Sequence, residues 1–194
     1  MKKKMQAAGF VLSTILASGS TLVVAQSDKD MAPPPKSGAQ ESFDKLKILA
    51  GSWVGPMTTD PPVPAVAGKF AQFSLRVTSM GNALVHELSI SGRADHPLTM
   101  FYLDGEQLVL THYCDAGNRP RMAGKASADG KTLEFDFLDL SGGNQHGHMH
   151  HAVFTFIDAN HHTEDWTYMV SENQAVRAHF DLQRTNAGSG STGN

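Results

Sequence analysis

Turn signals punctuate this chain about every ten residues, and no other feature constrains its fold so tightly. They fall at Met80-Gly81-Asn82, Asp104-Gly105, Ala116-Gly117-Asn118, Asp129-Gly130, Asp158-Ala159-Asn160 and Ser171-Glu172-Asn173. The runs between them, 70–78, 83–91, 98–103, 107–114, 132–138, 152–157, 164–170 and 175–183, alternate or are rich in β-formers. With 53–58 and 119–127 added, ten short strands follow one another through tight turns. Hairpin-joined strands in simple succession close most economically into an up-and-down antiparallel barrel, which leaves no exposed edge. Pro61, Pro62 and Pro64 sit between the first two strands, where a missing N–H harms no ladder. The predicted fold is therefore all-β.

Ahead of the first strand, Phe43, Leu46 and Leu49 share the spacing of one helical face. Ser42 is the expected N-cap, and Asp44 suits the positive end of the helix dipole. The helix gives way to Gly51-Ser52-Trp53. This Gly-x-Trp unit resembles the N-terminal signature of the calycin barrels: lipocalins, fatty-acid-binding proteins and nitrobindin-like proteins. The resemblance implies a short helix plugging the barrel floor and a tryptophan packed above it. It also implies an arginine from the last strand stacked on that tryptophan, here Arg184 on Trp53. The runs LVLTHYC at 108–114, AGNRPRM at 116–122, DGKTLEF at 129–135 and GHMH at 147–150 are similar to a family of small exported bacterial proteins of unassigned function. That likeness implies a fold and no chemistry.

The ends of the chain read differently. Lys2, Lys3 and Lys4 precede an apolar run broken by small polar residues, and Val23-Val24-Ala25 fits a small-residue cleavage site. Residues 1–25 are thus expected to be a secretory signal peptide, which places the protein in the periplasm or outside the cell. Residues 26–41 are Pro-rich and polar, an expected disordered linker, and 186–194 an expected flexible tail. The barrel domain is assigned to 42–185. The chain has 16 basic and 19 acidic residues, and the expected processing removes three lysines and no acid. An acidic protein without a basic stripe is a poor nucleic-acid binder. With a single cysteine, Cys114, the exported chain folds without an internal disulfide.

Strand alternation assigns side chains to faces. Leu84, His86, Leu88 and Ile90 lie together, as do Leu108, Leu110, His112 and Cys114, and again Glu164, Trp166, Tyr168 and Val170. If those faces line the interior, His86, His112, Cys114, Glu164 and Trp166 share one cavity. Leucine-walled space with a few inward polar groups is the usual make-up of a small-molecule site. The expected ligand set is these five with Tyr102, and Arg121 at the rim to clamp an anionic group. The expected partner is a small apolar or amphipathic molecule, bound without turnover. This expectation requires the interior to be hollow.

The ten histidines support a second expectation. Four lie in His146-Gly147-His148-Met149-His150-His151. On a strand, His148 and His150 face one side with Cα atoms ~7 Å apart, so both can reach one metal ion. His162 from the neighbouring strand could complete a zinc or copper site, making the protein a metal binder or metalloenzyme. The nitrobindin resemblance implies a third possibility, haem held by a late-strand histidine. His179 holds that position, yet it alternates with Ala178 and Phe180 and so points outward. No nucleophile elbow, phosphate loop or dinucleotide fingerprint occurs in the chain.

Overall fold

The computed structural model describes residues 35–185. The expected signal peptide, most of the linker and the tail lie outside the described residues. Helix α1 (Gly38–Lys47) comes first, followed by ten strands: β1 (Gly51–Asp60), β2 (Phe70–Thr78), β3 (Ala83–Ile90), β4 (Leu98–Asp104) and β5 (Gln107–Tyr113), then β6 (Arg119–Ala126), β7 (Thr132–Ser141), β8 (His148–Asp158), β9 (His161–Ser171) and β10 (Gln174–Arg184). Every strand pairs antiparallel with its sequence neighbours, and β1 pairs with β10 to close the barrel. One turn of 3-10 helix, Ser79–Gly81, makes the β2–β3 corner. The alternation read from the sequence holds: Phe73, Leu75, Leu84, Phe101, Leu110, Met122, Leu133, Phe135, Phe154 and Leu182 all point inward and are buried.

The helix begins five residues earlier than expected. Ser37 is the N-cap, its Oγ accepting from Gln40 N at 3.2 Å, and Ser37-Gly38-Ala39-Gln40 has the S-x-x-Q form of a capping box. Ser42 lies inside the helix instead, its hydroxyl donating to the Gly38 carbonyl at 2.8 Å. Residues 38–41 thus belong to the helix rather than to the linker. Phe43 and Leu46 bury one helical face, and the helix packs against β4, β5 and β6 at the end where the β2–β3 and β4–β5 hairpins turn.

The signature tryptophan sits between the helix and the strands. Trp53 Nε1 donates to the Leu49 carbonyl at 2.8 Å, and the ring is 1% exposed. The Arg184 guanidinium lies 4.1 Å from its centroid. Arg184 also donates to the carbonyls of Ala50 (2.8 Å), Ile48 (3.0 Å) and Ala159 (3.0 Å), tying the post-helical turn to the end of β10. Gly51 leaves room for this: its φ is +140°, and a Cβ there would stand 2.5 Å from the Arg184 guanidinium. Replacing Arg184 by Ala should lower stability by about 2 kcal/mol through the lost cation–π contact and charged hydrogen bonds. A melting temperature within a degree of the parent's would show that the stack contributes nothing.

Candidate functional site

At mid-height the barrel carries a buried charge. Glu164 on β9 is 0% exposed and pairs across the sheet with Phe154 of β8 and Phe180 of β10, both buried. Three N–H donors surround its carboxylate. His86 on β3 reaches across the interior, with Nε2 at 3.0 Å from Oε2 and 3.2 Å from Oε1. His162, two residues back on β9, places Nε2 3.1 Å from Oε1. Trp166, two residues on, donates from Nε1 to Oε2 at 2.9 Å. Burial alone would push the carboxyl upward, but the charge of His86 and the hydrogen bonds from His162 and His86 outweigh it and hold the pKa near 2. Glu164 is therefore an anion that only accepts, and each facing Nε2 carries its proton.

That assignment leaves two nitrogens over. His86 Nδ1 and His162 Nδ1 are both buried without a hydrogen-bond partner. His162 lies against Trp53, ring centroids 4.2 Å apart and edge to face, beneath the helix. His86 lies higher, next to open space.

That space is a cavity of about 140 Å³ at the end away from the helix. Its walls include Met57, Phe73, Leu88, Trp166 and Phe180, with His86, His112 and Cys114 among them. Pro97, Asp115 and Tyr168 come from the loops and strand ends at that end of the barrel. His112 on β5 is 6% exposed, and its Nδ1 lies 2.8 Å from the Thr99 hydroxyl. Burial first, and then the charge of His86, lowers its pKa to about 4, so the ring is neutral at neutral pH. Burial likewise pushes the Cys114 thiol up to about 11, which makes it a poor nucleophile.

Of the residues proposed from sequence, His86, His112, Cys114 and Trp166 line this one cavity, and Glu164 stands behind His86. Tyr102 and Arg121 do not join them. Tyr102 follows the inward Phe101 and faces out, its hydroxyl 3.1 Å from Thr111 Oγ1. Arg121 lies on the outer surface in a two-bond pair with Asp139, 2.9 and 2.6 Å, rather than at the rim. The alternation around Met122 carries it outward, and its guanidinium is already neutralised.

The interior is also fuller than the hollow barrel expected. Phe101, Phe135 and Phe154 pack edge to face at 5.4–5.8 Å across the centre, and the cavity described above lies beyond them, beside His86. A porphyrin does not fit a volume of the order that benzene fills. His179 faces outward, as its alternation indicated, with Nδ1 2.7 Å from Asp165.

The expected three-histidine metal set is not assembled. His148 and His150 do meet, Nε2 to Nδ1 at 3.3 Å, on the outer face beside Phe137. His162 points into the core instead. It lies seven residues along β9 from Met169, the partner of His148, roughly 23 Å away. Among the described residues, Glu134, Asp136 and His151 form a group with ligand atoms within 4.8 Å of one another, on the outer face. The Lys125 ammonium already occupies it, 3.2 Å from Asp136 and 3.6 Å from Glu134.

Sequence reading puts His162 in the metal set and misses its place beside Glu164 in the core. The expected run 164–170 starts three residues inside β9, so it leaves His162 out of the inward triplet His162, Glu164 and Trp166. The two-residue turn at Ala159-Asn160 was the available signal, since β9 begins directly after it.

Fold and site together define a closed ten-stranded antiparallel barrel with one short helix before its first strand, a charged core and a small end cavity. No family model matches the chain, and no curated protein matches it. Among solved structures, the chain is similar to a crystal structure of a protein of unknown function from the DUF3598 family of Nostoc punctiforme. The two are 10% identical with a TM-score of 0.49, and the match covers 72% of this chain and 49% of that one. This chain therefore spans about half the length of that protein.

Proposed function

We propose that this barrel is an exported, non-catalytic carrier or sensor that reversibly binds a small apolar molecule in the cavity above His86. The observation that carries the reading is an apolar cavity of about 140 Å³ with His112 in its wall, its Nδ1 committed to Thr99 and its Nε2 without a hydrogen-bond partner among the described residues. An unpaired buried polar atom is costly, and a ligand that satisfies it recovers that cost. Trp53 under Arg184 supports kinship with the calycin barrels, whose interiors commonly hold ligands. The cavity's size sets the ligand's size. A space of about 140 Å³ is close to the ~150 Å³ engineered cavity that takes up benzene or xenon, and well below the ~300 Å³ at which drug-sized pockets begin. Long-chain fatty acids are excluded on that ground.

Ala178 offers the test. It faces the cavity from β10 between Trp166 and Thr59, and a larger side chain there fills the space without touching the charged core. Calorimetric titration with benzene should show saturable one-to-one binding to the parent. The Ala178→Leu variant should bind at least tenfold more weakly while melting within a few degrees of it. Equal affinity in both proteins, or no binding to either, would remove the cavity as the site.

A further inference from the structure

The histidine pair at the start of β8 plays no part in the cavity reading. We propose that His148 and His150 form a site for one divalent transition-metal ion of the zinc or copper class, with His148 Nε2 and His150 Nδ1 as its ligand atoms and Asn144 positioning His148. The proposal is independent of the cavity and does without His162.

The backbone brings the two rings together. The ladder between β7 and β8 ends at Asp136 and His151, although β7 runs on to Ser141 and β8 begins at His148. On the other side of β8, Met149 pairs with Tyr168 and His151 with Thr167, so His150 is the extra residue of a bulge. His148, His150 and Phe137 line a groove there. Both imidazoles pack on Phe137, with centroid separations of 4.9 Å for His148 and 5.0 Å for His150. His148 Nε2 then stands 3.3 Å from His150 Nδ1. Two nitrogens that each lie ~2.0–2.1 Å from a zinc ion, at the tetrahedral angle, are roughly 3.3–3.4 Å from one another. The pair already has the spacing of one edge of a tetrahedral site.

The residues behind His148 hold that geometry. Asn144 Oδ1 lies 2.9 Å from His148 Nδ1. An amide oxygen only accepts, so Nδ1 carries the proton and Nε2 of the neutral ring presents its lone pair. Ligating imidazoles commonly give their second N–H to such an acceptor, which fixes the ring's orientation. The loop bearing Asn144 is itself tied down. Asn118 is 1% exposed and donates from Nδ2 to the carbonyls of Gly143 at 3.1 Å and Gly147 at 2.7 Å. The Tyr168 hydroxyl donates to the His146 carbonyl. Gly147 has a φ of +83°, and a Cβ there would stand 2.2 Å from the Met169 carbonyl oxygen, so the loop enters β8 along a path that glycine alone permits.

Charge in the groove favours a cation. Glu172 is in its wall, and no lysine or arginine lines it among the described residues. The Glu134, Asp136 and His151 group differs on this point, because the Lys125 ammonium already neutralises it. Imidazole nitrogens suit zinc and copper, whereas magnesium and calcium prefer oxygen ligands. With two histidine ligands, the ion's other positions are open to water, which makes the site exchangeable rather than structural.

Calorimetric titration of Zn2+ into the untagged full chain at neutral pH tests the site. One ion per chain should bind, and Mg2+ should not displace it. His148→Ala and His150→Ala should each bind Zn2+ at least tenfold more weakly, and His151→Ala as tightly as the parent. Asn144→Ala should weaken binding roughly tenfold, the lower end of the range for a partner behind a ligating histidine, and Asn144→Asp, which still accepts from Nδ1, should restore it. Nitrogen-15 spectra of the parent supply a readout that needs no variant: the His148 Nε2 and His150 Nδ1 resonances should move on saturation with Zn2+. No binding, binding that both alanine variants retain, or loss of binding in His151→Ala would overturn the site. Displacement by Mg2+, or ring resonances that stay in place, would overturn it equally. Parent-like affinity in Asn144→Ala would overturn the positioning role.

Discussion

Glu164→Ala should cost the barrel about 3–5 kcal/mol, the loss expected when one member of a buried, hydrogen-bonded charge group is removed. In a domain of this size that corresponds to a fall in melting temperature of roughly 10 °C or more. The carboxylate accepts from His86, His162 and Trp166, so its removal strands three buried N–H groups at once and opens a void between them. Glu164→Gln should fall between parent and Ala. The amide keeps one acceptor oxygen but turns its NH2 toward imidazole nitrogens that are themselves donors. Urea unfolding followed by far-UV circular dichroism measures all three proteins. A loss below 1 kcal/mol for Glu164→Ala would mean that the charge is not held as described.

Acid should unfold the protein in two stages. His112 has a folded pKa of about 4 against 6.5 for the free side chain, so its neutral form is the one the fold prefers. Between those values the unfolded chain binds the proton more readily, and stability drops as pH falls. From pH 7 to pH 5 this amounts to about 2 kcal/mol. Glu164 follows. Its pKa of about 2 lies below the ordinary 4.5, so the stability it confers is complete above 4.5 and is lost as pH falls toward 2. That second stage is worth on the order of 3 kcal/mol. His112→Asn keeps a polar group near Thr99 but cannot titrate. It should flatten the dependence between pH 7 and pH 5 and leave the lower stage in place. An unchanged upper stage in that variant would assign the first loss to a different group.

Much of the fold could be read from the chain because its signals are local. Turn residues such as Asp104-Gly105 and Asp129-Gly130 fix where hairpins reverse, and period-two alternation then fixes which side of each strand is buried. The Gly51, Trp53 and Arg184 group was legible too, through a likeness the geometry accounts for: the glycine's missing Cβ makes room for the guanidinium. The site was readable only in part. Alternation put His86, His112, Cys114 and Trp166 on inward faces, but it carries no information on how far side chains reach across a barrel. The Phe101, Phe135 and Phe154 cluster is made by residues from three strands, and only their packing shows that it fills the centre. Tyr102 and Arg121 are a different kind of miss. Each follows or precedes an inward hydrophobic residue, Phe101 or Met122, and strict alternation already placed them outside. The helix start is also legible in Ser37-Gly38-Ala39-Gln40, a capping-box pattern that directly follows the proline run.

Because β1 and β10 are partners, the start of β1 and the end of β10 meet on the helix-covered side, where Thr185 N donates to the Ser52 carbonyl at 2.8 Å. The cavity opens on the opposite side. A fusion partner or surface tether attached at residue 35 or residue 185 would therefore hang from the base and leave the entrance unobstructed. A peptide long enough to cross the base from residue 185 back to residue 35, with new ends cut into the exposed β7–β8 connection, would give a circular permutant with the same ten-strand wall.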